Sequence, residues 1–322
     1  MHAVHLTKYG DPMAGLTHVE IPEPRPPGAG EVIVSVAFAP VDYSDFLMAK
    51  GVYVTKPALP VVIGNEGAGV VTSVGAGVTI VKLGDRVLLP TGVPTWAQRI
   101  VVSAEKLFAL PSNIELQQAS MLTINPPAAS LLLSAFVKLK PGDWVLQNAG
   151  NSGVGRAVIA MAKAKGIRTA SIVRRPELVA ELVATGADLV VVESAAALGE
   201  LRAGIDGGHV ALGIDGVGGD AMATLSAVVS AGASLVNYSM LGGDRVSLPA
   251  SLLTFKRLKV SGFFMYHAEH KEALPRAVLE GVALMAAGKL RFPVAAVYPI
   301  RDIKQAVEHA VRGGKVLLDM AD

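Results

Sequence analysis

The sequence predicts an α/β protein of two domains, one mostly β and one a doubly wound parallel sheet, and its texture changes at two points. Residues 1 to about 117 carry short β-branched runs punctuated by Gly and Pro, such as "EVIVSVAFAP" and "AQRIVVSAEKLFALP". Short strands separated by tight turns imply a mostly β domain. From 118 to 291, strand-like segments alternate with Ala- and Leu-rich helical ones, for example 153–165, 176–185 and 220–231. Repeated β-α units predict a parallel sheet with helices on both faces. Residues 292–322 read as a strand, a helix opened by Asp302 and a final strand. Their texture is that of the first region, so the second domain is expected to be an insertion and 292–322 a return to the first.

Composition narrows the function class. At 322 residues the chain is long for a single core, and with 51% hydrophobic and 17% charged residues it is globular rather than disordered. Twenty-nine basic residues against 27 acidic ones, with no long basic run, argue against nucleic acid as a partner. A small molecule is the expected ligand. The absence of cysteine removes disulfides, thiolate nucleophiles and cysteine-bound zinc. The N-terminus "MHAVHLTKYGDP" passes directly into a strand-like pattern, and no apolar run is long enough to span a bilayer. A soluble, cytoplasmic protein is therefore expected.

The stretch "WVLQNAGNSGVGRAVIAMAKAKG" runs from strand through glycine turn into helix. Within it Gly150, Ser152 and Gly155 match G-x-G-x-x-G with Ser at the middle glycine and an additional Gly153. Between strand and helix of a β-α-β unit, such a turn offers backbone N–H groups and a helix dipole to a pyrophosphate. The alternative is a glycine turn that serves close packing alone. The next strand ends in Arg174-Arg175-Pro176, with no acid before Glu177. An acid there would bind ribose hydroxyls, whereas a guanidinium suits a 2′-phosphate, so NADPH is the expected cofactor. A solvated strand end is the other reading of the two arginines.

With "GNEG", "MLTINPP", "DWVLQNAGNSGVG", "VRR", "SLLTFKRLKVSGFF" and "GGKVLLDM" in place, the chain resembles the medium-chain dehydrogenase/reductase superfamily over essentially its whole length. Within it, the chain is most similar to the zinc-free 2-enoyl thioester reductases and the quinone oxidoreductases. The resemblance implies a GroES-like catalytic domain at 1–117 and 292–322, and a Rossmann domain at 118–291. Zinc-dependent relatives place a Cys near Asp42 and a His at Asn65, and carry a four-cysteine lobe missing here. An Asn and a lone Asp make a poor zinc site, and the scattered histidines, His267 and His270 included, supply no third ligand. No metal is expected.

The resemblance also implies hydride transfer from NADPH to the β-carbon of an activated double bond and protonation of the α-carbon. It assigns the acid to Tyr53, in Gly51-Val-Tyr53 leading to Pro57 and Leu59-Pro60; a tyrosine that merely lines the cleft is the alternative. By the same resemblance Asn125, Asn151 to Val154, Tyr238, Ser239, Phe263, Phe264 and Met265 contact the cofactor. Lys315 is a basic residue near it or a solvated turn lysine. Asn65, Phe264, Lys256 and Arg257 are candidates for the substrate, the two cations for a CoA or carrier-protein group, unless they and Lys259 form a solvated strand edge.

Three positions depart from the eukaryotic enoyl reductases: Phe264 replaces a tryptophan, Ser130 a tyrosine, and residues 43–50 form a longer loop. An NADPH:quinone oxidoreductase, another reductase of unsaturated carbonyls, or a non-catalytic NADPH-binding protein are the competing expectations. The relatives are commonly dimers joined through edge strands, and "KVSGFF" is the candidate edge of a homodimer.

Overall fold

The computed structural model describes residues 1–321. The chain divides into two compact units, one made of Met1–Ile124 with the chain from Arg291 onward, the other of Asn125–Leu290.

The long strand Glu31–Val41 organises the first unit. Its Val32, Val34 and Val36 alternate inward with at most 2% exposure, the period-two pattern of a strand with one buried face. It pairs antiparallel with Ala68–Val74, Arg99–Ser103 and the C-terminal strand Val316–Asp319. Val316–Asp319 pairs in parallel with Ala296–Pro299, which ties the end of the chain into this sheet. A second sheet is centred on His2–Leu6, with Leu16–Glu20 on one side and Val61–Val62 on the other. Trp96 is fully buried in the core, where its Nε1 donates to Pro40 O at 3.1 Å. The helix Ile303–Arg312 buries Ile303, Ala306 and Val307, an apolar stripe at i, i+3 and i+4. Asp302 precedes it but makes no capping hydrogen bond with its side chain.

The second unit is a six-stranded, wholly parallel sheet. Its spatial order is Leu189–Val192, Arg168–Val173, Trp144–Gln147, Val210–Asp215, Ser234–Asn237 and Lys259–Gly262. The strands Trp144–Gln147 and Val210–Asp215 are buried at every position, as expected where helices cover both faces. Chain order reverses between these two strands, so the crevice beyond their carboxyl ends is the switch point at which such sheets bind ligands.

The boundary between the units falls after Ile124, beyond the change in texture at 118. Gln118 shows why: its side chain exchanges two hydrogen bonds with the backbone of Phe292, at 3.0 and 2.9 Å, and so fastens this segment to the first unit. Residues 43–50, expected as a loop, form the helix Tyr43–Lys50.

Candidate active site

In the second unit the glycine turn is fixed from all sides. Ala149 is held at φ 49°, a left-handed conformation costly for a residue with a side chain and concentrated at functional turns. Ser152, at the position of the middle glycine, is the N-cap of the helix Gly153–Ala164, its Oγ accepting from Gly155 N at 3.0 Å. A Cβ on Gly155 would lie 2.6 Å from Gly150 O and 2.7 Å from Ala149 O, and one on Gly150 would lie 2.7 Å from Ser171 Cβ. Those two glycines are therefore required by packing, as the more modest reading of the motif holds. Gln147 Nε2 donates to Gly155 O and to Ser171 Oγ, both at 3.0 Å, and buried Arg156 donates to Asn151 O at 3.0 Å while pairing with Glu181 at 2.6 Å.

The turn also has capacity to spare. The amides of Gly153 and Val154 lie at the helix N-terminus, where no intrahelical acceptor exists, and they have no protein partner among the described residues. A Cβ on Gly153 would lie 2.6 Å from Asn125 Cγ, so Gly153 makes room for the Asn125 side chain, whose Nδ2 is buried and unpartnered. Tyr238 lies over Gly216, where a Cβ would meet its hydroxyl at 2.4 Å, and its hydroxyl faces Ser152. Burial pushes the Tyr238 phenol up to about 12, so it stays a neutral donor. Unpaired amides, an orphaned amide donor and a glycine-lined bed at the sheet's switch point fit a dinucleotide phosphate.

Arg174 and Arg175 stand exposed just after the strand Arg168–Val173. Arg175 faces Glu177 at 3.5 Å, whereas Arg174 has no ion pair among the described residues.

Other expected cofactor residues are placed differently from one another. Phe263 and Met265 are buried, and Phe263 packs edge-on against Phe136 and beside His270, as core residues do. Phe264 is half-buried against Tyr266 and His267. Ser239 accepts from Asn237 Nδ2 through its carbonyl at 2.9 Å. Ser130 donates to Glu280 Oε2 at 2.5 Å, bonding the helix Asn125–Ala135 to Leu274–Ala286.

Lys256 and Arg257 do not fit the substrate role expected of them. Lys256 Nζ donates to the carbonyls of Ser226, Ala227 and Val229 at 2.8–3.0 Å, closing the C-terminus of the helix Ala221–Val228. Both precede Lys259, which is in register with Ser234, whereas Tyr238 follows Asn237, at the other end of the same strand pair. They therefore lie at the opposite edge of the sheet from the glycine turn.

Sequence reasoning missed Asp215, the fully buried end of a strand. It accepts from Asn148 Nδ2 at 2.7 Å, from the amides of Val217 and Gly218 at 3.0 Å each and from Asn237 Nδ2 at 3.1 Å. A buried acid closing the apolar run "VALGID" is the signal that could have found it. One carboxylate thus fixes the ends of three strands around the switch point.

In the first unit the site gathers around the helix Tyr43–Lys50. Asp45 Oδ2 accepts the Asp42 N–H at 2.7 Å, one half of a capping box. The helix ends on Gly51 at φ 76°, where the amides of Val52 and Tyr53 both return to Leu47 O at 3.0 and 3.1 Å. Tyr9 Oη donates to Pro57 O, so the Tyr53 loop is anchored at both ends. Burial first, then the negative charges of Asp45 and Asp42, push the Tyr53 phenol up to about 12.

Beneath it lies a buried charge cluster. Lys315 Nζ is paired with Asp42 Oδ1 and stands 4.0 Å from Glu66 Oε1. Asn65 Nδ2 donates to Asp45 Oδ1 at 2.8 Å and Ser44 Oγ at 3.1 Å. Asn65 and Lys315, expected at substrate and cofactor, thus have their nitrogen donors engaged inside this unit. The same contacts leave a poor donor set for zinc: Asp42 is held by an ammonium, Asn65 offers an amide already spent, and no cysteine exists. Among the described residues no three His, Cys, Asp or Glu side chains group as metal ligands.

The model for the alcohol dehydrogenase GroES-like domain matches residues 28–112, and that for zinc-binding dehydrogenases matches 153–279. The human mitochondrial enoyl-[acyl-carrier-protein] reductase is 36% identical over 94% of this chain and 84% of its own. The chain belongs to the medium-chain dehydrogenase/reductase superfamily. As in other superfamily members, a GroES-like unit accompanies a Rossmann unit. The solved complex of Etr1p with NADP and crotonyl-CoA matches with a TM-score of 0.88, 27% identity and 99% coverage of both chains. Etr1p is a mitochondrial 2-enoyl thioester reductase of Candida tropicalis. The Escherichia coli quinone oxidoreductase bound to NADPH matches with a TM-score of 0.87 and 25% identity, over 99% of this chain and all of the other. Among the described residues no helix is long and apolar enough to cross a membrane.

Proposed function

We propose that this oxidoreductase reduces the carbon–carbon double bond of a 2-enoyl thioester, carried on CoA or acyl-carrier protein, with NADPH. The observation that carries the reading is Tyr53, a phenol on a loop anchored at both ends and held in its protonated form up to about pH 12. A phenol at that position carries its proton throughout the working range and can give it to the more basic enolate carbon, though the raised value makes it a weaker acid than a free tyrosine. NADPH, held there, would supply a hydride to the β-carbon. Tyr53 Oη then gives its proton to the α-carbon, and the phenolate is reprotonated from solvent.

The chain's other residues bind and orient. The Gly153 and Val154 amides and the helix dipole hold the pyrophosphate, and Arg174 holds the 2′-phosphate. Asn125 offers its unpartnered Nδ2 to the cofactor, Tyr238 and Ser239 flank it, and Phe264 borders the substrate. Asp215 keeps the surrounding loops in place. Turnover of crotonyl-CoA in D2O tests the reaction itself: butyryl-CoA with one deuterium at the α-carbon is expected, and no such product would overturn the reading.

Arg174→Ala is expected to raise KM for NADPH by about 10- to 100-fold, the worth of a charge-assisted hydrogen bond, and to leave KM for NADH unchanged. Steady-state titration of both cofactors checks this. A quinone is the second substrate class, favoured by the match to the E. coli quinone oxidoreductase and by Ser130, whose small side chain replaces a large one.

We also read the chain as a homodimer. Lys259–Gly262 pairs on one side only, and Val260 on it is 47% exposed, an open edge that a second copy can continue. Sedimentation should give a dimer that Val260→Lys dissociates; a monomeric wild type contradicts it.

A further inference from the structure

Two buried carboxylate oxygens in the first unit, Asp42 Oδ2 and Glu66 Oε1, have no hydrogen-bond donor. The two side chains that carry them lie within hydrogen-bonding reach of each other. Every other polar atom of the pair is engaged. Glu66 Oε2 accepts from Ile124 N at 2.9 Å and from Thr123 N at 3.1 Å, and Asp42 Oδ1 is paired with Lys315. Lys315 Nζ, at 4.0 Å from Glu66 Oε1, is too far to donate to it. Two facing, fully ionised oxygens would repel, and each would bear the cost of a buried acceptor left unmade.

Asp42, Asp45 and Glu66 surround one ammonium, so complete ionisation would leave two uncompensated negative charges among side chains at most 16% exposed. Asp45 has N–H donors on both oxygens, from Asp42 and Asn65, which partly offset the burial and the Asp42 charge that raise it, and neither of its oxygens is left without a donor. Of the two carboxyls with a free oxygen, Asp42 carries the Lys315 ammonium on its other oxygen, whereas Glu66 has no cation within hydrogen-bonding distance, so the proton belongs on Glu66.

We infer that Glu66 is a neutral carboxylic acid that donates its proton from Oε1 to Asp42 Oδ2, and that this bond makes it a positioning residue for Tyr53. Through it, the backbone at Thr123–Ile124, which leads into Asn125, is joined to Asp42, the N-cap of the helix whose far end carries the Tyr53 loop. The groups facing Glu66 are Asp42, Lys315 and, beyond Asp42, Asp45; burial first and the Asp42 charge second raise its pKa well above the ordinary 4.5. A carboxyl that binds its proton more tightly folded than unfolded contributes fully at low pH, and the contribution is lost as pH rises through the folded value. The stability of the wild type should thus fall with rising pH relative to a variant that cannot ionise there.

Glu66→Gln preserves the arrangement, with Nε2 donating to Asp42 and Oε1 accepting from Thr123 and Ile124. Infrared spectroscopy of the wild type at neutral pH should show a protonated-carboxyl C=O band that Glu66→Gln removes, a readout independent of any substrate. Glu66→Ala should lower kcat at least tenfold, and Glu66→Gln should restore it to within threefold while abolishing the alkaline fall of the wild-type profile. Absence of the band, its persistence in Glu66→Gln, or a Gln variant as impaired as the Ala variant would overturn the inference. The positioning role rests on the proposed role of Tyr53; should no enoyl thioester be reduced, the infrared result still decides where the proton is.

Discussion

Tyr53→Phe is expected to lower kcat for enoyl thioester reduction by about 10²- to 10³-fold, within the range spanned by a single general acid. The substitution removes one oxygen from a loop anchored by Leu47 O and by the Tyr9–Pro57 hydrogen bond, so the fold and the cofactor turn of the other unit keep their structure. NADPH affinity, read by fluorescence titration, should therefore be unchanged while the α-proton transfer is lost. Because the phenol stays protonated up to about 12, it adds no alkaline limb of its own below that pH. A fall of wild-type activity at lower pH belongs to another group, and Glu66, raised by burial and by the Asp42 charge, is the candidate.

Lys315→Met is expected to cost roughly 3–5 kcal/mol of stability at neutral pH, the cost of removing one partner from a buried ion pair. Burial works against the ammonium, yet the surrounding carboxylates, Asp42 first, outweigh it and hold its pKa above the ordinary 10.5. Without the amine, Asp42 and Asp45 remain as buried, mutually repelling charges, and Asp45 is already raised well above its usual range by burial and by Asp42. Asp45, so raised, escapes the penalty by taking up a proton, so the variant's deficit should shrink as pH is lowered. Urea unfolding at a series of pH values measures this, and a deficit independent of pH would contradict it.

The two-unit architecture was legible because strands buried on both faces, such as "VALGID", read differently from the alternating "EVIVSV" of a sheet with one inner face. The return of the last segment was legible for the same reason, and Val316–Asp319 lies antiparallel to Glu31–Val41. The glycine pattern marked the turn, but only the folded packing separates Gly150 and Gly155, which packing requires, from Gly153, which makes room for Asn125. Lys256 and Arg257 show the limit of linear reasoning. Cations near the cofactor segment in sequence lie at the wrong end of a parallel strand, one of them spent on carbonyls of the helix Ala221–Val228. The cluster of Asp42, Asp45, Glu66 and Lys315 was out of reach altogether. It joins residues 273 positions apart, and no local pattern marks a lysine that will be buried against an aspartate.

The most direct test compares kcat/KM for crotonyl-CoA and for a quinone, with NADPH as reductant, in the wild type and in Tyr53→Phe. Efficient thioester turnover that collapses in the Phe variant is expected. Quinone turnover indifferent to Tyr53, with no thioester reduction, would contradict it.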